Sequence, residues 1–225
     1  MSRFLRVVGS ALCCFLLVGA GSPAWGQEEA PRFGITLGLN RASLSAPDAA
    51  VTPSARYVAT GGVVAHVWRA DPVSVQAELL LSQKGATLDS DQSTGLQYGA
   101  GYIELPVLLN AEAPSLGPVT PYALAGGFGG VKVFERQQPA EGDLNISLDT
   151  GESFFRRFDA GVMAGLGGHI RLGEQRLNLV VRRSWGLVDV ADPPDTLDDP
   201  FFSDTPAFPA SATTRTWSLL LRLGI

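Results

Sequence analysis

The chain has 225 residues with 17 basic and 22 acidic side chains, a net charge of −5, which excludes the basic footprint of a nucleic-acid binder. Only 17% of its residues are charged, lysine occurs just twice (Lys84 and Lys132), and mean hydropathy is positive at +0.15. A soluble β protein would blunt its edges with lysine, and no apolar run of 18 residues follows the first 26, so the composition suits a membrane protein that spans without helices, as a closed barrel does.

In chain order, an export signal comes first. Arg3 and Arg6 precede an apolar stretch over residues 7–20, and Ala24-Trp25-Gly26 places small residues at the positions a signal peptidase reads. Residues 1–26 are expected to be removed, leaving 27–225 as one barrel domain. Cys13 and Cys14 both fall inside the signal, too early and in the wrong context for lipid attachment. The mature chain is therefore expected to lack disulfides and thiolate chemistry.

Eight runs of period-two alternation follow, at about 32–44, 56–70, 73–88, 98–113, 119–135, 154–173, 175–189 and 213–225, punctuated by glycine and proline. In the third, Val73, Val75, Ala77, Leu79 and Leu81 alternate with Ser74, Gln76, Glu78, Leu80, Ser82 and Lys84. In the fourth, Ile103, Leu105, Val107, Leu109 and Ala111 alternate with Tyr102, Glu104, Pro106, Leu108, Asn110 and Glu112. The sixth sets Phe158, Val162 and Leu166 against Asp159, Met163 and His169, and the last sets Trp217, Leu219, Leu221 and Leu223 against Thr216, Ser218, Leu220 and Arg222. The second run leaves its phase open through Val63-Val64-Ala65-His66-Val67.

Alternation alone fits a soluble barrel, apolar face inward, and a membrane barrel, apolar face outward. Connections after runs two, four and six are short, and those after one, three, five and seven are longer and polar, as at the periplasmic and extracellular ends of an outer-membrane barrel. Aromatic residues fall near run ends, with Phe33, Trp68 and Tyr122 on the short-turn side and Phe158, Trp185 and Trp217 on the loop side, where rings favour the lipid–water interface. The prediction is an all-β, eight-stranded antiparallel up-and-down transmembrane barrel in the cell outer membrane. Its even strand count puts both mature termini on the periplasmic side.

Several ordered segments carry a family likeness: 33–40 (FGITLGLN), 75–85 (VQAELLLSQKG), 102–109 (YIELPVLL), 121–126 (PYALAG) and 182–187 (RRSWGL). Together they resemble the outer-membrane β-barrel domain of the "porin family" proteins of Bacteroidetes-like bacteria, across nearly the whole mature chain. The resemblance implies an eight-stranded outer-membrane barrel and does not imply an open pore. Ile225 stands where such barrels usually end in an aromatic residue read by the assembly machinery, and at Arg183 the family more often shows an aromatic.

A barrel of eight strands is just wide enough for its own side chains. Glu78, Lys84, Glu104, Glu112, Asp159, Arg171, Arg182 and Arg222 fall on the inward face, where charges of both signs should pair because an isolated buried charge costs several kcal/mol. The expected network joins Glu78 and Glu104 to Arg182 and Arg222, with Asp159 and Arg171 nearby, and closes the lumen; the alternative is a narrow channel whose charges select solutes. Arg183 falls on the outward face, where it would cost about 2–4 kcal/mol at the midplane unless its head reaches the lipid phosphates.

No catalytic constellation emerges. His66 and His169 are the two histidines, and no serine lies within two residues of either, against what an activated hydroxyl and its base would need. Asp189, Asp192, Asp195, Asp198, Asp199 and Asp204 read as a solvated acidic loop, since their spacing matches no calcium loop. Gly126, Gly127, Gly129 and Gly130 lack the lysine and helix of a phosphate loop and suit close packing in a barrel wall. No metal or cofactor is expected. The expected partners are outer-membrane lipids, the barrel assembly machinery during biogenesis, and an unknown surface ligand at the long loops, where Phe201, Phe202 and Phe208 stand.

Overall fold

The computed structural model describes residues 32–46, 54–90, 93–139, 155–172, 175–192, 209 and 211–224. The predicted signal, the assembly-signal position Ile225 and most of the acidic loop, with Phe201, Phe202 and Phe208, lie outside the described residues. Eight strands run β1 (Arg32–Ser45), β2 (Ser54–Ala70), β3 (Val73–Ser90), β4 (Ser93–Glu112), β5 (Val119–Pro139), β6 (Phe158–Leu172), β7 (Gln175–Gly186) and β8 (Thr213–Gly224). Each pairs antiparallel with its chain neighbour, and β1 closes on β8.

Following the ladder once around gives the stagger. Ala42 pairs with Thr216, then Ser184, Met163, Gly126, Leu108, Gln76 and His66, and the circuit returns to β1 at Arg32, ten residues below its start. With strands ~4.7 Å apart and a rise of ~3.3 Å per residue, that shift corresponds to a tilt of roughly 40°, typical of a closed barrel.

The outward side is the apolar one. Leu105, Val107, Leu219 and Leu221 are exposed on the outer surface, between 42% and 49%, whereas their chain neighbours Glu104, Leu108 and Leu220 are buried. Ile35, Leu37 and Leu39 continue the outer band on β1, with Thr36 and Asn40 buried inside. A soluble barrel would invert this arrangement.

One detail differs from expectation, and one that the sequence left open is resolved. The β3–β4 connection, expected to be a long loop near 89–97, spans two residues, because the ladder continues to Ser90 opposite Ser93. β3, β4 and β5 thus rise past the loop-side start of β6 and end of β7, and β4 pairs with β5 as far as Leu96 opposite Pro139. The open phase of β2 has its explanation in a bulge between His66 and Trp68. It inserts Val67, so that Val67 and Trp68 are both exposed while Val64 is buried.

Candidate functional site

The lumen holds the charged residues in two separate clusters. Nearer the short turns, Glu78 is fully buried and accepts hydrogen bonds from three side chains. Arg182 Nη1 donates to Oε2 at 2.7 Å, while Gln76 Nε2 (2.5 Å) and Arg222 Nη2 both donate to Oε1. Arg222 Nη1 also donates to Gln76 Oε1 at 3.3 Å, and Asn110 Nδ2 donates to the same oxygen at 2.9 Å. These residues come from β3, β4, β7 and β8, which period-two alternation points inward at one level. One carboxylate between two guanidiniums gives this cluster a surplus positive charge.

Six residues nearer the loop end on β3, Lys84 Nζ lies 2.5 Å from Glu104 Oε1 and 2.6 Å from Asp159 Oδ2, and Thr214 Oγ1 donates to Asp159 Oδ2 at 2.9 Å. The ammonium also stands 4.4 Å from the ring centre of Phe128 and 5.7 Å from that of Tyr102, distances at which a cation gains from the ring quadrupole. This cluster has a surplus negative charge, so the two together are neutral.

Glu104 was expected beside Glu78 with the arginines, and the structure corrects that grouping. The ladder sets Glu104 opposite Leu80, two residues past Glu78 toward the loops, and the stagger carries it further up, to Lys84. Arg171 was expected in the network as well. It is exposed at the short-turn end of β6, opposite Arg176, because the strand there has run past the enclosed lumen.

Tyr122 was expected at the membrane interface and instead faces the lumen, 4% exposed. On β5 the usual size contrast is reversed, with Ala123, Ala125 and Gly129 outside and Tyr122, Leu124 and Phe128 inside. Two glycines make room for the rings. A Cβ on Gly167 would fall 2.4 Å from the Tyr122 ring, and one on Gly161 would fall 2.8 Å from the Phe128 ring. Tyr122 belongs to an apolar cluster with Leu108, Leu124, Phe128, Met163, Val180 and Leu220 that fills the remaining lumen.

The short-turn mouth is lined by Glu112 and His169. Arg69 Nη2 donates to Glu112 Oε1 at 2.8 Å, with His169 Nε2 3.7 Å from the same oxygen. The imidazole stacks on Tyr122 at 4.5 Å and engages Asn178 through Nδ1. His66 is half-buried on β2, opposite Gln76 in the ladder.

The loop mouth is covered by the bases of the loops themselves, a feature the sequence did not reveal. Phe155, Val190, Ala191 and Ala212 are buried with Leu44, Ala100 and Tyr102. Asp189 Oδ1 accepts the backbone N–H groups of Ala191 (3.1 Å) and Ala212 (2.9 Å), and Val190 N–H donates to the Ala212 carbonyl. Asp189, expected to be one of several solvated carboxylates, is thus a loop cap. Tyr102 Oη donates to the Arg156 carbonyl at 3.1 Å, tying the cap to the barrel wall. Among the described residues, no three His, Cys, Asp or Glu side chains gather where they could hold a metal ion.

On the outer surface Phe33, Trp68, Phe158 and Trp217 are between 40% and 61% exposed, and Trp185 is half-buried. Arg183 is outward and half-buried, its guanidinium carbon 5.2 Å from the ring centres of both Trp185 and Trp217.

A closed eight-stranded barrel with an apolar exterior and a charged, filled interior is an outer-membrane architecture. The chain belongs to the outer membrane protein β-barrel domain family, whose sequence profile matches residues 25–192. Among solved structures it is similar to Neisserial surface protein A (NspA), at 12% identity over 87% of this chain and 99% of that one, with a TM-score of 0.45. The outer membrane protein OprG from Pseudomonas aeruginosa gives 14% identity, 86% and 91% coverage and a TM-score of 0.49. The attachment invasion locus protein Ail of Yersinia pestis gives 10%, 86% and 98%, and 0.42. No curated protein sequence matches the chain significantly.

Proposed function

We propose that the protein is a closed outer-membrane barrel with a non-enzymatic, structural or surface-interaction role, contacting its surroundings through its loops rather than through its lumen. The observation that carries this reading is the filled interior. Two buried ion clusters of opposite surplus charge, the rings of Tyr102, Tyr122 and Phe128, and the loop-base cap stand in series along the axis. A charge moved through such a path would have to break pairs whose partners then sit buried and alone, at a cost of several kcal/mol.

The alternative is a narrow channel, and one feature favours it. The inward positions of β1 and β8 include the short polar residues Thr36, Asn40, Thr216 and Ser218, a polar strip along one wall. Planar-bilayer recording separates the two. The closed barrel is expected to give no unitary conductance steps; reproducible steps that Lys84→Met alters in size would establish the channel. An enzyme that modifies envelope lipids is a weaker second alternative, since His169 is held by Glu112, Asn178 and Tyr122 at the mouth. Replacing His66 and His169 together is expected to leave the envelope lipids unchanged.

The proposal includes export with removal of residues 1–26, so that the purified protein starts at Gln27, and insertion by the barrel assembly machinery. The narrower likeness to "porin family" barrels rests on the segments quoted above and adds no pore to this reading. A surface ligand would be met by the long loops after β1, β5 and β7.

A further inference from the structure

Four strands of the wall, β1, β2, β7 and β8, contain no aspartate or glutamate. On their outer face the ladder aligns Tyr57, Arg41, Trp217 and Arg183 in one row, and sets Arg215 beside Trp185 immediately on the loop side. Aromatic ring and guanidinium alternate along the row. Tyr57, Arg41, Trp217 and Arg215 are exposed, and Arg183 lies between two tryptophan rings with its Nε buried and without a hydrogen-bond partner among the described residues. No carboxylate among the described residues pairs with any of these three arginines, although the protein as a whole is acidic.

Unpaired cations on the lipid-facing side of a barrel are costly unless an anion meets them there. The row occupies the loop half of the wall, where tryptophan and tyrosine mark the outer interface, and the anions available at that depth are lipid headgroup phosphates. Guanidinium groups bind phosphate through paired N–H donors, and the flanking rings fix Arg183 in place. We infer that this row is a binding site for the phosphorylated headgroup of an outer-leaflet glycolipid, with Arg183 and Arg215 as the principal phosphate contacts and Arg41 completing the site. The inference rests on the outer-membrane setting and is independent of whether the lumen conducts.

The test uses the protein extracted folded in neutral detergent, with bound lipid counted by native mass spectrometry. The probes are bisphosphorylated lipid A, the same lipid stripped of its phosphates, and inorganic phosphate. Binding of the bisphosphorylated lipid is expected to weaken about fivefold for each of Arg41→Gln, Arg183→Gln and Arg215→Gln, and not for Arg69→Gln at the opposite end of the barrel. The stripped lipid is expected to bind no better to the wild type than to the variants, and millimolar inorganic phosphate is not expected to displace the intact lipid. Heat-modifiable gel mobility checks that each variant is folded, and the two arginines near strand ends, Arg41 and Arg215, give a readout even if Arg183→Gln fails to fold. Equal binding of stripped and phosphorylated lipid, equal binding by wild type and variants, or displacement by inorganic phosphate would each overturn the inference.

Discussion

Glu78 lies between Arg182 and Arg222, so deleting the anion and deleting one cation leave very different remainders. Arg182→Met leaves Glu78 paired one-to-one with Arg222 and loses a charge-assisted hydrogen bond, worth about 1.5–3 kcal/mol. Glu78→Met leaves two guanidiniums buried together with no counter-charge, a loss of about 3–5 kcal/mol. Urea unfolding in lipid vesicles should therefore rank Glu78→Met as the less stable variant; the reverse order would mean that Arg222 does not neutralise Glu78 on its own. The charged residues were legible in the sequence because alternation fixes which face each occupies, and Glu78, Arg182, Arg222, Glu104 and Asp159 are all buried inside the barrel. Their grouping was legible only in part: Glu78 was expected with Arg182 and Arg222 and lies between them, whereas Glu104 was placed in the wrong cluster. The grouping depends on the ten-residue stagger, which moves Glu104 up to Lys84 and away from Glu78, and no single strand records that shift.

At the scale of the strand, β5 shows where reading by polarity fails. Its outward positions are alanine and glycine and its inward ones carry rings, so neither face is polar and Tyr122 passes for an interface residue. The complementary signal lies on the neighbouring strand, where Gly167 leaves the space the Tyr122 ring fills. Gly167→Val should cost about 1–3 kcal/mol through overpacking, and adding Tyr122→Ala should recover part of that loss. A double-variant cycle measures the coupling, and strictly additive losses would show that the ring does not fill that space. The loop bases pose a similar problem, since Asp189 looks like one of six loop aspartates in the sequence and only its position over the mouth makes it a cap. Asp189→Ala removes the acceptor of two backbone N–H groups, about 1–3 kcal/mol in local stability. Cleavage within 190–212 by proteinase K should accelerate several-fold in that variant while global unfolding barely moves. An unchanged cleavage rate would show that the cap is held by its apolar contacts alone.

For the whole molecule, the eight strands, their order and the outward faces of strands such as β3, β4 and β8 were legible because the bilayer forces a strict pattern: every backbone group must be paired within a closed sheet, and only the apolar side of each strand can face lipid. Loop lengths obey no such rule, and the polar stretch around 89–97, which by composition passes for a loop, instead continues the β3–β4 ladder to Ser90 and Ser93. This difference can be tested on intact cells. Connections after β1, β5 and β7 leave 8 or more residues outside the ladder, whereas the β3–β4 connection leaves two, and a backbone hydrogen-bonded into a sheet is a poor protease substrate. Proteinase K shaving followed by mass spectrometry is therefore expected to release peptides cut within 46–53, 140–157 and 187–212, and to spare both the β3–β4 hairpin and the turns at 71–72, 113–118 and 173–174. Cuts in the short turns on unbroken cells would reverse the orientation and with it the assignment of the arginine row to the outer leaflet. Ready cleavage at 91–92 would instead mean that the raised β3–β4–β5 wall opens in the membrane-bound protein, restoring the long third loop that composition alone suggests.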